Sequence, residues 1–265
     1  MDFKLEVPTA LGYFASLVQS DEHFPLLEAA ASLAQDEYPE LDIQQVLDQV
    51  DQFSNKLKQR LPADAGSLHK LRLLNKFFFE ELGFAGNLNN YYDPDNSYLH
   101  VMLRTRRGIP ISLAVLWLEL AASLDLDAKG VGFPGHFLVK VRLPFPHEGQ
   151  VVIDPFTGQS LGKEDLMERL APMHAESGLI RDGAVSDELL QHYLRPATSR
   201  EIVARNSRSR LGSITCCVST SRMAFGQGLS TIASTPATTC FPTPGIARTS
   251  SRSEFAVLSK PRRPR

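Results

Sequence analysis

Apolar residues recur at steps of three and four through the first third of the chain. Val46, Val50, Phe53, Leu57 and Leu61 form one such stripe, and Leu68, Leu71, Leu74, Phe78 and Leu82 form a second that Gly83 stops. The first stripe carries its own start signal. Asp42 stands as N-cap, Gln45 follows three residues on to complete a capping box, and Leu41 and Val46 are placed as a hydrophobic staple. Leu26 to Leu33 predicts a shorter helix upstream. The segment from Tyr91 to Ser97 is turn-forming: Pro94 presets φ, Asp and Asn bond the local backbone, and Ser97 is placed to cap a helix running toward Arg106. Gly108 and Pro110 break that helix. Another begins at once, with Pro in its first turn and Ser112 at or near its cap. Its Leu113, Leu116, Trp117, Leu120 and Leu124 predict a central, largely buried helix.

After Asp125 the period changes from 3.6 to 2. Val131–Phe133, Phe137–Leu143 and Val151–Ile153 read as strands. In the middle one Phe137, Val139, Val141 and Leu143 share a face, with His136, Leu138, Lys140 and Arg142 on the other. Pro144 to Gly149 is the hairpin loop, and residues 160–171 and 186–194 return to helix. Helices, then a central helix leading into an antiparallel sheet, then helices define an α+β fold. The expected organisation is an N-terminal helical region over 1–65, a core over 66–185, the start of a further helical region over 186–205, and a tail over 206–265.

Charge separates that tail from the rest. The chain has 28 Lys and Arg against 30 Asp and Glu, a net charge of −2. From Arg200 onward there are eleven basic and two acidic residues, so residues 1–199 hold 17 basic and 28 acidic ones. Of the last 60 residues, 19 are Ser or Thr and long aliphatics are sparse, so the tail is expected to be disordered. An acidic body is not built to seek nucleic acid, which makes a nucleic-acid role unlikely for residues 1–205. The start of the chain has no basic region followed by a long apolar run, and the longest apolar stretch, Ile111 to Leu118, is too short to span a bilayer. All three cysteines (Cys216, Cys217, Cys240) lie in the tail, which removes a disulfide framework, a thiolate metal site and a cysteine nucleophile from the body. A cytoplasmic protein without membrane contact is expected.

His136 and Asp154 are the candidate chemistry. With the hairpin centred near Phe145 each lies nine residues from the centre, so they face each other on neighbouring strands. An imidazole held by a carboxylate has its tautomer fixed and its cation stabilised, as a general base requires. The bland alternative is a hydrogen-bonding strand histidine beside an Asp-Pro strand exit. A third group at a helix N-terminus packed on the sheet decides between them, which directs attention to Gly108–Leu113.

Arg106-Arg107-Gly108-Ile109-Pro110-Ile111-Ser112-Leu113, Gly132-Phe133-Pro134-Gly135-His136-Phe137 and Ile153-Asp154-Pro155-Phe156 together resemble the transglutaminase-like superfamily. The similarity is to its bacterial branch with tetratricopeptide-type helices after the core, named after a locus affecting transcription of invasion genes. Asn75 to Phe84 and the Tyr91 to Leu99 turn fit the same branch, and the match covers about residues 10–205. The resemblance implies a papain-like core with Cys at the start of the central helix, His on one strand and Asp on the next. Such a site supports acyl transfer or amide hydrolysis through a thioester. His136 and Asp154 match the histidine and aspartate, whereas the cysteine's place falls on Pro110, Ile111 or Ser112. Only Ser112 among these is a nucleophile, and a helix dipole offers about 1 kcal/mol toward activating it.

Three functions follow as expectations: a catalytically silent domain whose groove binds a peptide or protein partner; a hydrolase or acyl transferase using Ser112, His136 and Asp154; or a structural module carrying a helical-repeat interaction region. No cofactor is expected, and no metal, since the seven histidines show no His-x-His or His-Glu-x-x-His spacing. Arg104 to Arg107 serve a helix C-terminus better than a phosphate. In the branch, repeated Leu- and Ala-rich helices follow the core. Here Thr198 to Arg205 begins such a helix and the pattern collapses at about Asn206, as a change of reading frame would produce.

Overall fold

The computed structural model describes residues 9–144, 148–175 and 186–209. Residues 210–265 of the tail expected to be disordered over 206–265, and most of the loop between Pro144 and Gly149, lie outside the described residues.

Among the described residues, five α-helices precede the centre of the fold: α1 (Ala10–Leu17), α2 (Leu26–Ser32), α3 (Ile43–Lys58), α4 (Ser67–Asn75) and α5 (Leu99–Thr105). The Asp42 carboxylate caps α3, accepting from the Gln44 and Gln45 amides, and Val46, Val50, Phe53 and Leu57 are buried along one stripe. α4 continues into a π-helical turn over Lys76–Glu81. The wider turn brings three consecutive phenylalanines into packing. Phe77 meets Phe53 edge-on, Phe78 stacks on Phe84 at 4.7 Å, and Phe79 lies so close to Gly158 that a side chain there would collide with it. Gly83 then ends the helix at φ +70°.

Ser97 does not cap α5. A 3-10 turn over Pro94–Ser97 intervenes, capped by the Asp93 carboxylate, and the backbone of Tyr98 enters α5 with no side-chain cap. Competition for the Ser97 segment comes from the turn chemistry of Asp93-Pro94, which closes one step earlier. α5 ends at Arg106, left-handed at φ +60°. The Arg106 guanidinium sits over the rings of Phe84 at 4.7 Å and Phe53 at 5.2 Å, an anchor for a conformation that costs a non-glycine residue energy.

The short parallel pair β1 (Ala85–Gly86) and β2 (Arg107–Gly108) leads into α6 (Pro110–Ser123). Among its residues Leu113 to Trp117 are all buried, so α6 is enclosed on every side, as a central helix must be if it is apolar all round. Trp117 donates its indole N–H to Asn75 Oδ1 at 3.0 Å, which satisfies the one polar group of that side chain.

Behind α6 stands an antiparallel sheet in the order β3 (Ala128–Val131), β4 (Leu138–Leu143), β5 (Gly149–Ile153), β6 (Ser160–Leu161). Phe137, Val139, Val141 and Leu143 join α6 and the N-terminal helices in one core, so residue 65 marks no break in the packing. The opposite face is also covered. Leu138, Val131 and Val152 pack there with residues of α7 (Lys163–Ala175) and α8 (Asp187–Tyr193) in a second, smaller core. A last helix, α9, runs over 199–209. The segment before it borders β3, where Pro196 bridges Val131 and the Ala197 amide donates to the Gly130 carbonyl. The fold is α+β, with helices on both faces of an antiparallel sheet.

Candidate functional site

The β4–β5 register pairs Val139 with Ile153 and Leu143 with Gly149. The hairpin is therefore centred one residue later than the symmetric pairing of His136 with Asp154 requires. A one-residue shift of centre moves each partner by two, which preserves the face. His136 is also not on the strand: β4 begins at Leu138, and His136 closes a turn in which its amide donates to the Phe133 carbonyl at 3.1 Å. Pro134 and Gly135 form the middle of that turn, with Gly135 at φ +66°. This Pro-Gly pair was the readable signal that the strand starts later.

The two side chains nevertheless meet. His136 Nε2 lies 2.8 Å from Asp154 Oδ1. The Asp154 amide also donates its share of structure, bonding the Gln159 carbonyl, while the Gly158 amide bonds the Asp154 carbonyl, so the aspartate is fixed at the mouth of the β5–β6 turn. Asp154 is buried to 1% exposure and fully served: Oδ1 accepts in addition from the Phe156 amide at 2.9 Å, and Oδ2 accepts from Arg169 of α7 at 3.1 Å. Burial pushes the Asp154 carboxyl up; the His136 hydrogen bond and charge, the Arg169 charge and the Phe156 amide outweigh it and hold the group below its ordinary range. His136 turns Nε2 to the carboxylate, and among the described residues its Nδ1 takes no protein hydrogen bond.

Ser112 stands apart from this pair. It is the third residue of α6, at 0% exposure, and its Oγ accepts from the Ile109 amide at 3.2 Å while lying 2.7 Å from the Asn96 carbonyl and 3.1 Å from the Ile109 carbonyl. No hydrogen bond joins it to His136 among the described residues. The hydroxyl is a local tie between the start of α6 and the turn before α5. Asn96 extends that tie. Its side-chain amide donates to the Asn90 and Tyr91 carbonyls and its Oδ1 accepts from Asn87, while the Ile109 amide reaches the Asn96 carbonyl.

An aromatic ledge runs beside the His–Asp pair. The Phe156 ring is 6.3 Å from the His136 ring and 5.8 Å from Tyr91, which in turn contacts Tyr92. Leu88, Tyr91 and Tyr92 are exposed large apolar groups on the same loop, Leu88 at 68%. Burial raises the Tyr91 phenol above its ordinary value, with Tyr92 and Asp154 adding to the rise and Arg205 opposing it. The Phe156 carbonyl accepts from the Gly86 amide, and only a glycine at 86 leaves room for the Phe156 ring.

Sequence reasoning missed Arg169, Arg205 and Asn206. Arg205 of α9 donates through one nitrogen to the Phe133 and His136 carbonyls at 3.1 and 3.0 Å, and Asn206, buried to 1%, donates to the Ser97 carbonyl. The helix thus continues past the expected break at Asn206. Among the described residues no group of three or more His, Cys, Asp or Glu is placed to hold a metal ion, and no helix is long and apolar enough to cross a membrane. Arg107, expected to serve a helix end, donates to the Gly83 and Arg106 carbonyls.

Comparison with known proteins agrees with this geometry. The family description "Transglutaminase-like superfamily" matches residues 44–208, more than half of the chain. A UPF0162 protein of Xylella fastidiosa is 39% identical over 190 residues, covering 71% of this chain and 64% of that protein. A UPF0162 protein of Pseudomonas aeruginosa is 30% identical over 184 residues, covering 69% and 63%. Human F-box only protein 21 is 40% identical over 70 residues, 26% of this chain and 11% of its own length. The chain spans a little under two thirds of the length of the bacterial relatives. No solved structure matches. A central helix on an antiparallel sheet, a histidine and aspartate joined at the sheet's end, and a family match across both place this chain in the transglutaminase-like superfamily.

Proposed function

We propose that the domain is a non-catalytic relative that binds an extended peptide or protein segment along the surface that Tyr91 and Tyr92 form beside His136 and Phe156. The observation that carries this reading is the state of Ser112: fully buried, with its Oγ committed to the Asn96 and Ile109 carbonyls. A hydroxyl so engaged lacks the access and the neighbouring base that nucleophilic attack demands. The exposed aromatic ledge supports the binding half of the reading, since tyrosines present large apolar area at small entropic cost.

A hydrolase or acyl transferase built on Ser112, His136 and Asp154 is the second reading. It is favoured by the formed imidazole–carboxylate pair and the unpartnered Nδ1, both of which a general base requires. A third is a structural module that carries a helical-repeat interaction region. Two measurements separate them. A pool of capped decapeptides titrated into the labelled protein is expected to shift the NMR signals of Tyr91, Tyr92 and His136 while no peptide or p-nitrophenyl ester is cleaved. Turnover that disappears in both Ser112→Ala and His136→Ala overturns the silent reading in favour of the hydrolase. Neither shifts nor turnover leaves the module.

The expectation about the C-terminal region belongs to the same proposal. A tetratricopeptide-type region follows the core in the full-length protein, and a change of reading frame replaces it after α9. The family match to residue 208, the shortfall in length against the bacterial relatives and the Ser-, Thr- and Arg-rich composition beyond support this. Translating the gene in its other two frames past codon 209 tests it: a Leu- and Ala-rich amphipathic pattern is expected in one of them, and absence from both overturns the frame change.

A further inference from the structure

Two halves of the site hang on separate parts of the chain, and α9 touches both. One half is the turn from Phe133 to His136, which presents the imidazole. The other is the turn ending at Ser97, whose Asn96 carbonyl receives Ser112 and the Ile109 amide and so seats the start of α6. Neighbouring residues of α9 reach one each. Arg205 donates to the carbonyls of Phe133 and His136, the first and last residues of the histidine turn, and Asn206 donates to the carbonyl of Ser97.

We propose that Arg205 and Asn206 are positioning residues that clamp the His136 turn at a fixed distance from the start of α6, so that the site is assembled only when α9 is docked. The inference rests on reading the His136–Asp154 region as the functional site. One guanidinium nitrogen donating to the carbonyls at both ends of a four-residue turn restrains it more than a single bond does, and each bond is strengthened by the positive charge of the donor. Arg205 is enclosed on its other sides as well: its guanidinium lies 5.9 Å from the centre of the Phe137 ring, and a side chain at Gly132 would crowd its Nη1. Burial lowers the Arg205 pKa from its ordinary value and the Tyr91 phenol beside it opposes that, placing the clamp next to the aromatic ledge. α9 has two further anchors that do not reach the site, besides a cap of its own. Ile202 is buried in the main core and Arg200 pairs with Asp21 at 2.9 Å, while Thr198 and Glu201 bond each other and cap the helix start. The helix therefore has means of staying attached that are independent of Arg205, and loss of the clamp is separable from loss of the helix.

The experiment uses the full chain, with histidine rings and backbone amides followed by NMR and His136 assigned through His136→Gln. Arg205→Ala is expected to displace the His136 ring signal and to speed exchange of the His136 amide, whose partner is the Phe133 carbonyl, by about tenfold, the scale of one lost charge-assisted hydrogen bond. Asn206→Ala is expected to disturb the Ser97 and Ile109 amides and to leave the His136 ring less affected. Leu57→Ala, a cavity in α3 remote from the clamp, lowers the thermal midpoint more than either variant and leaves the His136 signals at their native positions. Should Arg205→Ala fail to fold, Arg205→Lys keeps the charge but ends short of the two carbonyls, and is expected to displace the same signals by a smaller amount. Native His136 ring position and exchange in whichever arginine variant folds overturn the proposal. These readouts do not depend on peptide binding or turnover, so failure of the functional reading and failure of the clamp are separate results.

Discussion

The two ends of the candidate site are held by different physics. At the start of α6, Ser112, Asn96 and Ile109 form a closed set of neutral hydrogen bonds with no exposed member among Ser112, Asn96 and Ile109. Where β5 ends, Asp154 gathers an imidazole, a guanidinium and an amide around one buried charge, and His136 and Arg169 reach from it toward solvent. The first arrangement fixes geometry and offers no chemistry; the second is a charge network that responds to pH. In a papain-like triad both ends would be reactive. Here the helix end has the features of a cap, and the sheet end retains those of a base.

The comparison predicts unequal costs. Asp154→Ala is the most severe change, since the Phe156 amide, His136 and Arg169 all lose their shared acceptor; a loss at the upper end of about 1–3 kcal/mol is expected from urea unfolding. Acid acts on the same carboxyl more gently. Its folded pKa is depressed, so its contribution is fully present above the unfolded carboxylate value and is lost as pH falls through the lower folded value. Unfolding free energy measured between pH 6 and pH 2 should fall more steeply for the wild type than for Asp154→Asn, and equal slopes would remove the charge network from the account. Ser112→Ala comes next, at about 1–3 kcal/mol, the cost of leaving the buried Asn96 carbonyl with one partner fewer. It should leave the His136 ring signals in place, and a displaced imidazole would show that the two ends are one unit after all. Least of all is Arg142→Ala, whose partner Asp127 is itself on the surface; thermal unfolding should move by no more than about 0.2–1 kcal/mol allows.

What could be read from the sequence follows the range of the forces involved. Local signals were sufficient for α3, where Asp42 and a regular apolar stripe specify both start and face. The His136–Asp154 contact was legible although the register was displaced, because the hairpin brings the residues flanking the start of β4 and the end of β5 to the same end of the sheet. Ser112 was correctly placed at the start of a helix, but its partner Asn96 is sixteen residues away and gave no periodic sign. The π turn at Lys76–Glu81 was hidden for a related reason: Phe77, Phe78 and Phe79 in a row fit any helix, and only packing against Phe53, Phe84 and Gly158 selects the wide one. Arg205 and Asn206 bridge about seventy and a hundred residues, beyond the reach of any motif, and their neighbours' basic composition directed attention to charge when backbone carbonyls were the target.

The turn of α9 that carries Arg205 and Asn206 sets how much of the gene this domain needs. Codons 205 and 206 encode contacts to both halves of the site, and the described part of α9 extends beyond them to residue 209. A stop or a slipped frame a few codons upstream would unhitch the histidine turn, whereas the same lesion a few codons downstream would spare every bond described here. Tolerance of the locus to truncation should therefore change abruptly across a handful of codons, a step that a series of nested deletions can resolve to a single amino acid.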